Sequence, residues 1–140
     1  MGYFLGIDLG TSYFKTGIFD EKGRLCGLGR QPVLKNTSDG ITCELSVNTF
    51  WDTLKNCVNE ALTAASVIPE SILSISYSSQ ANSFIFLDRN NNPLAPIILW
   101  PDKRAENLEI PIDLLLKHSE FPEKTGLGIN LNHEFALAKI

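Results

Sequence analysis

The first part of the chain alternates apolar and polar positions with a period of two, which is the pattern of half-buried strands. Residues 3–9 and 13–20 both follow this pattern and are separated by a short turn that contains a glycine. The segment 20–23, Asp-Glu-Lys-Gly, is a hairpin signal, and residues 24–34 can form a third strand. The pattern therefore predicts a three-stranded antiparallel meander.

The period then changes to that of a helix. Apolar residues recur every three or four positions from residue 47 to residue 65, with Ser46 as the expected N-cap and Pro69 beyond the end. The stripe consists of Val47, Trp51, Leu54, Val58, Ala61, Leu62 and Ala65. We therefore predict one helix of about five turns whose apolar stripe, Trp51 included, packs into the core.

Shorter elements follow in the second half of the chain. The predicted strands are 72–78, 84–88 and 96–100, and the predicted helical segments are 103–109, 112–118 and 134–140. A meander that continues through a helix into further strands requires a crossover connection. The order βββαβββα thus predicts an α/β fold with a mixed sheet that is covered by helices on at least one side.

Composition narrows the class of protein. The chain has 140 residues, 44% hydrophobic and 20% charged, which suits one globular domain and not a disordered segment. A net charge of −4 argues against a nucleic-acid partner. We find no apolar run of membrane-spanning length, no signal-peptide pattern and no C-x-x-C pair among the three cysteines. These observations predict a cytoplasmic protein with reduced thiols and no membrane partner.

Residues 6–15 carry the chemistry of the chain. The side chains and turn residues concerned are Asp8, Gly10, Thr11, Ser12 and Lys15. A carboxylate suits a hydrated magnesium ion, whereas hydroxyls, backbone N–H groups and an ammonium suit phosphate oxygens. The pattern predicts a magnesium and phosphate site, and an ordinary hairpin with an aspartate cap is the alternative. It is not a Walker loop, because no G-x-x-x-x-G-K-[ST] is present.

Residues 6–15 resemble the first phosphate motif of the actin-like ATPase superfamily. Blocks further along resemble the FGGY carbohydrate kinases within that superfamily, in order and spacing, over nearly the whole chain. The blocks are residues 40–44 with Phe50 and Trp51, residues 79–83, Leu87-Asp88, Pro93-Leu94, residues 98–105, and Thr125-Gly126 with Phe135 and Lys139. Each block is weak alone, and together they are specific.

The resemblance implies a fold and a set of site residues. The implied fold is a ribonuclease H-like mixed sheet with helices, the N-terminal lobe of an ATP-dependent sugar kinase. Asp8 would hold Mg²⁺ through water, and Gly10, Thr11, Ser12 and Lys15 would lie near the phosphates of ATP. The implied sugar-binding residues are Gln80, Ala81, Asn82, Trp100, Asp102 and Arg104.

Departures from the family pattern bear on the substrate. Glycerol kinases carry an Arg-Glu pair after the glutamine and xylulose kinases commonly carry Met-His, whereas this chain has Ala81-Asn82. Glycerol is therefore disfavoured, and a ketopentose such as xylulose or ribulose is expected, although xylulose itself is not secured. Two structural alternatives stay open: Asp102 as the cap of a helix that begins near Lys103, and Trp100 as a core residue.

The catalytic aspartate of the family lies well downstream of the block around Trp100, and no residue here matches it. We therefore expect residues 1–140 to be an N-terminal domain truncated at its C-terminal end, without the second lobe and inactive alone. A homodimer of the full-length enzyme is an assembly that the resemblance allows. The alternatives are a non-catalytic sugar- or protein-binding module of the same fold, or a gluconate or other polyol kinase. The blocks around Gln80 and Trp100 argue against a chaperone-like or actin-like ATPase.

Overall fold

The computed structural model describes residues 2–37, 39–107, 109–127, 134 and 136–140. The chain divides into unit 1, residues 1–34 and 46–80, and unit 2, residues 35–45 and 81–140. The strands are β1 (Tyr3–Leu9), β2 (Tyr13–Asp20), β3 (Leu25–Pro32), β4 (Glu44–Leu45), β5 (Ile72–Ser79) and β6 (Ile97–Ile98). The α-helices are α1 (Val47–Ala65), α2 (Ile110–Leu116) and α3 (Phe121–Thr125), and single 3₁₀ turns lie at Pro69–Ser71 and Ala136–Lys139.

Unit 1 is built on a four-stranded sheet in the order β3-β2-β1-β5. Strand β2 pairs antiparallel with both β1 and β3, so the predicted meander is confirmed. Strand β5 lies parallel to β1 on its other side, after the chain has crossed over through α1. The predicted mixed sheet is therefore confirmed.

Helix α1 begins at the predicted residue. The Ser46 hydroxyl accepts a hydrogen bond from the Thr49 amide at 3.1 Å, which satisfies one free N–H group of the first turn. The helix ends at Ser66, which adopts the left-handed conformation. The prediction that Trp51 lies in the core is wrong, because its side chain sits at the rim of the stripe, edge-on to Phe50, and is 52% exposed.

The core of unit 1 lies between α1 and the sheet. Its buried members include Leu5, Phe14, Ile18, Cys57, Ala61 and Leu62. The helix approaches most closely at Gly29 of β3, where a Cβ atom would lie 1.9 Å from the carbonyl oxygen of Cys57. The same oxygen accepts a buried hydrogen bond from the Thr16 hydroxyl at 2.7 Å. The absence of a side chain at Gly29 is therefore what allows α1 to pack on the sheet.

Unit 2 contains a small antiparallel pair in which Glu44 of β4 opposes Ile98 of β6. The pairing continues beyond the strands, since the Leu99 amide donates to the Cys43 carbonyl at 2.9 Å. The buried apolar residues around it are Cys43, Leu45, Ile98 and Leu99. This pair positions the segment that follows residue 98.

Two predicted strands of unit 2 are shorter than expected. Residues 84–88 form only isolated bridges, and the strand predicted at 96–100 is limited to Ile97–Ile98. The carboxylate of Asp88 accepts hydrogen bonds from the backbone N–H groups of Asn90 and Asn92. These bonds close a turn, so the chain does not continue as a strand here.

The helical predictions in unit 2 also need correction. The described residues of 103–109 form turns and bends, and Leu108 lies outside them. Because the Asp102 carboxylate accepts from the Arg104 amide, Asp102 caps a turn and not the predicted helix. The segment predicted at 112–118 is helix α2, which starts earlier at Ile110, and residues 136–139 make one 3₁₀ turn. Of the predicted 134–140 helix, Phe135 is outside the described residues.

None of the helices in the described part of the chain combines the length and the apolar character that crossing a membrane requires.

Replacing Gly29 with alanine should lower the free energy of unfolding by about 2 to 3 kcal/mol, because the added methyl group overlaps the Cys57 carbonyl of α1. Gly6→Ala is the matched control, since a Cβ atom there lies 3.4 Å from its nearest neighbour, a ring carbon of Phe19. Urea unfolding of both variants checks the expectation. Equal stability of the two variants would contradict the close approach described at Gly29.

Candidate active site

Asp8 and Lys15 meet at the end of the β1–β2 hairpin. They are directly opposed in the antiparallel register, and the Lys15 ammonium contacts Asp8 Oδ2 at 2.7 Å. Both side chains are about half exposed, at 48% and 49%. The two charged residues of the predicted phosphate site are therefore adjacent to each other and open to solvent.

A row of polar side chains crosses the sheet at this level. Ser78 of β5 opposes Asp8, and Arg30 of β3 opposes Lys15. Directly opposed residues share one face of a sheet, and alternation puts this row on the face opposite α1. The Arg30 guanidinium also stacks on the Tyr13 ring, 3.7 Å from its centroid. The row thus holds one carboxylate, two cations and a hydroxyl.

The turn between β1 and β2 is tight. A Cβ atom at Gly10 would lie 2.8 Å from the Tyr13 carbonyl oxygen, which explains the glycine. The Ser12 carbonyl accepts a hydrogen bond from the Val33 amide at 3.0 Å, so the turn is tied to the end of β3. The backbone of the predicted phosphate turn is therefore closely packed and anchored to the end of β3.

Thr11 and Gln80 are brought together although they are far apart in sequence. The Thr11 hydroxyl donates a hydrogen bond to the side-chain oxygen Oε1 of Gln80 at 2.8 Å. The backbone N–H of Gln80 donates to the Leu9 carbonyl at 3.2 Å. The predicted phosphate turn is thus linked by hydrogen bonds to the first of the predicted sugar-binding residues. Ala81 and Asn82 follow in a bend where Asn82 has a positive φ of 58°, a conformation that asparagine tolerates better than most residues.

Asp102 lies at the centre of a buried polar cluster in unit 2. Its carboxylate is fully buried and accepts hydrogen bonds from the Cys43 amide at 2.7 Å and from Arg104 Nε at 2.7 Å. Arg104 Nη2 reaches the second Asp102 oxygen at 2.9 Å and also contacts Glu44. The guanidinium is therefore clamped between two carboxylates.

These contacts decide the ionisation of the cluster. Burial alone would raise the pKa of Asp102, but the hydrogen bonds from the Arg104 side chain and from two backbone amides outweigh it and lower the pKa below its ordinary value. The hydrogen bond to Asp102 raises the pKa of Arg104 in turn. Both groups therefore stay charged at neutral pH.

Trp100 lies at the other end of this segment and is partly buried. Its amide donates to the Ser83 hydroxyl at 2.9 Å, and its carbonyl accepts from the Lys139 ammonium at 2.7 Å. Within unit 2, two of the predicted sugar-binding residues, Trp100 and Arg104, thus belong to one hydrogen-bonded segment. Whether these side chains contact a ligand stays a prediction.

The sequence alone indicates no role at these sites for Arg30, Glu44 or Lys139. Arg30 joins the site only through the β2–β3 register, which the sequence does not reveal. Glu44 and Lys139 belong to blocks that resemble the family, but only the folded chain places them on Arg104 and on the Trp100 carbonyl.

The meander, the helical crossover and the parallel fifth strand give the chain the mixed sheet of the actin-like ATPase fold, which its structural neighbours share. The chain belongs to the FGGY family of carbohydrate kinases, whose model of the N-terminal domain matches residues 3–139. The family and fold that the sequence predicts are therefore confirmed.

Individual relatives are named as xylulose or glycerol kinases. The L-xylulose/3-keto-L-gulonate kinase of Escherichia coli is 33% identical over 103 residues, 74% of this chain and 21% of that protein. The glycerol kinase of Acinetobacter baylyi is 29% identical over 134 residues, 93% of this chain and 26% of that protein. A solved xylulose kinase structure from Brucella ovis matches with a TM-score of 0.80 and 24% identity over 98% of this chain and 28% of that one. The chain thus spans about a quarter of the length of these relatives.

Replacing Asp102 with asparagine should lower the free energy of unfolding at neutral pH by about 2 kcal/mol, because charge-assisted hydrogen bonds to Arg104 are lost. A carboxylate whose pKa is lowered by folding stabilises the protein above its unfolded pKa of about 4. That contribution is lost as the pH falls through the lower, folded pKa. Urea unfolding from pH 7 to pH 2 measures it.

The difference between wild type and Asp102→Asn should therefore shrink in acid. Asp52→Asn, at an exposed position of α1, is the control and should behave like wild type throughout. If the difference in the free energy of unfolding stays constant down to pH 2, Asp102 is not an ionised carboxylate whose pKa is lowered by folding.

Proposed function

We propose that the protein containing these residues transfers the γ-phosphoryl group of ATP to a hydroxyl of a sugar, with a ketopentose as the favoured substrate. The observation that carries the proposal is the Asp8–Lys15 pair beside the Gly10 turn, in a chain matched over residues 3–139 by a carbohydrate kinase domain. The relative named L-xylulose/3-keto-L-gulonate kinase favours the ketopentose. The Ala81-Asn82 pair disfavours glycerol, because it stands where glycerol kinases carry Arg-Glu. The glycerol kinase relative supports only the wider class of polyol substrates.

Asp8 fits a magnesium ion that is held mainly by water and phosphate oxygens. It offers one half-exposed carboxylate, and the described residues bring no three His, Cys, Asp or Glu side chains together. Magnesium at phosphoryl-transfer sites commonly binds one or two carboxylates and takes its other ligands from water and phosphate. When bound, the ion supplies neutralisation of charge on the transferring phosphoryl group.

Lys15 would change its partner when nucleotide binds. The Lys15–Asp8 pair is half exposed, so separating its charges costs little. The ammonium can then turn to a phosphate oxygen while the carboxylate faces the hydrated ion. Arg30, directly opposite Lys15, adds positive charge to the same face. Ser12 and Thr11 place backbone N–H groups and hydroxyls at the turn between these charges.

Within unit 2, we name the side chains of Asn82, Trp100 and Arg104 the sugar wall and propose that they contact the substrate. Gln80, in unit 1, is proposed separately as a sugar ligand. An aromatic face suits the carbon skeleton of a sugar, and amides and guanidinium groups suit its hydroxyls. Both Asp102 oxygens are already engaged inside unit 2. We therefore assign Asp102 to holding Arg104 in place instead of contacting the sugar.

Replacing Asp8 with alanine in the whole protein should lower kcat by at least about 100-fold, because charge on the transferring phosphoryl group is no longer neutralised in position. Sugar binding, measured by calorimetry without nucleotide, should persist. Asp52→Ala on the exposed face of α1 is the matched control and should leave kcat unchanged. Wild-type turnover in Asp8→Ala would refute the magnesium role.

Purified residues 1–140 should release no ADP in a sugar-dependent manner, because the proposal places the general base outside them. A coupled ADP assay over a panel of ketopentoses, gluconate and glycerol should give turnover only with the whole protein. Turnover by residues 1–140 would overturn the assignment of the base. Absence of turnover by the whole protein with every sugar, together with sugar binding, would favour the binding-module alternative.

A further inference from the structure

The peptide of Trp100 is held from both sides by side chains from distant parts of unit 2. On one side its amide donates to the Ser83 hydroxyl at 2.9 Å. On the other side the Lys139 ammonium donates to the Trp100 carbonyl at 2.7 Å and to the Leu99 carbonyl at 3.2 Å. These contacts fix the point at which the chain leaves β6.

Lys139 is an unusual residue for this position. Only 8% of it is exposed, and burial lowers the pKa of its ammonium, which the nearby Asp102 carboxylate partly offsets. A buried charge is costly unless it is paired and hydrogen-bonded, and an apolar side chain of similar length would fill the same space more cheaply. The two carbonyl contacts give the ammonium a specific task that an apolar side chain lacks.

That task affects the residues that follow. The Asp102 amide donates to the Leu99 carbonyl at 3.0 Å, so Lys139 and Asp102 share one acceptor. Asp102 in turn clamps the Arg104 guanidinium through two hydrogen bonds. A displacement of the 99–100 backbone would therefore move both the Trp100 ring and the Arg104 guanidinium.

We infer that Lys139 and Ser83 are positioning residues of the sugar site, which hold the Trp100 peptide so that Trp100 and Arg104 face the substrate in a fixed geometry. The inference rests on the proposed function, because it assumes that these two side chains form part of the sugar wall. It assigns to Lys139 an effect on sugar recognition and none on nucleotide binding, since the carbonyl groups that its ammonium binds, those of Leu99 and Trp100, belong to unit 2. Misplacement of positioned groups by about 1 Å is enough to cost an enzyme large factors in rate.

The test is the steady-state kinetics of Lys139→Met in the whole protein. Methionine keeps the length and apolar volume of the side chain and removes the donor. We expect the KM for the sugar, and its Kd by calorimetry, to rise about tenfold, with the KM for ATP unchanged within about twofold. Lys139→Arg keeps a charged donor and should recover part of the loss. Lys124→Met on the exposed surface of α3 is the control and should change neither constant.

Ser83→Ala removes one hydrogen bond to the same peptide and tests the inference if Lys139→Met does not fold. It should raise the sugar KM by a smaller factor and again leave the ATP KM unchanged. The inference is overturned if these variants bind sugar as wild type does, or if the sugar and ATP constants rise by the same factor. A wild-type protein without sugar-dependent turnover or sugar binding would instead refute the proposed function.

Discussion

The close contact between α1 and β3 is the constraint on which unit 1 depends. The backbone of α1 occupies the space that a side chain at Gly29 would fill. The Thr16 hydroxyl donates a hydrogen bond to the Cys57 carbonyl, the same group that lies over Gly29. This contact buries one face of the meander against the helix. Because strand residues alternate between faces, it leaves Asp8 and Lys15 on the opposite face, where a ligand can reach them.

The candidate phosphate site therefore follows from strand register more than from any one residue. Register places Ser78, Asp8, Lys15 and Arg30 in one row across four strands. A shift of one residue in any pair would send one of these side chains to the helix-covered face. In unit 2 the equivalent role belongs to a buried polar network, since Asp102 and Lys139 hold the backbone that carries Trp100 and Arg104.

The sequence pattern predicted the elements whose periodicity is long and regular. Strands β1 and β2 and helix α1 have the predicted bounds, and the meander follows from the hairpin signal at residues 20–23. The errors lie where side chains compete with the backbone for hydrogen bonds. The carboxylates of Asp88 and Asp102 cap turns, so an apolar pattern at residues 84–88 yields no strand and residues 103–109 yield no helix. Arg30 and Lys139 gain their partners only through tertiary contacts, which no local pattern encodes.

We propose that the turn after β1 receives the phosphates and the metal of a sugar kinase. Crystals of the whole protein with Mn²⁺ and a non-hydrolysable ATP analogue test it directly through the anomalous signal of manganese. We expect the manganese peak beside the Asp8 carboxylate with a water between them, and Lys15 Nζ on a phosphate oxygen instead of on Asp8. Nucleotide bound away from residues 8–15, with the Asp8–Lys15 pair intact, would refute the assignment of the phosphate site to this turn.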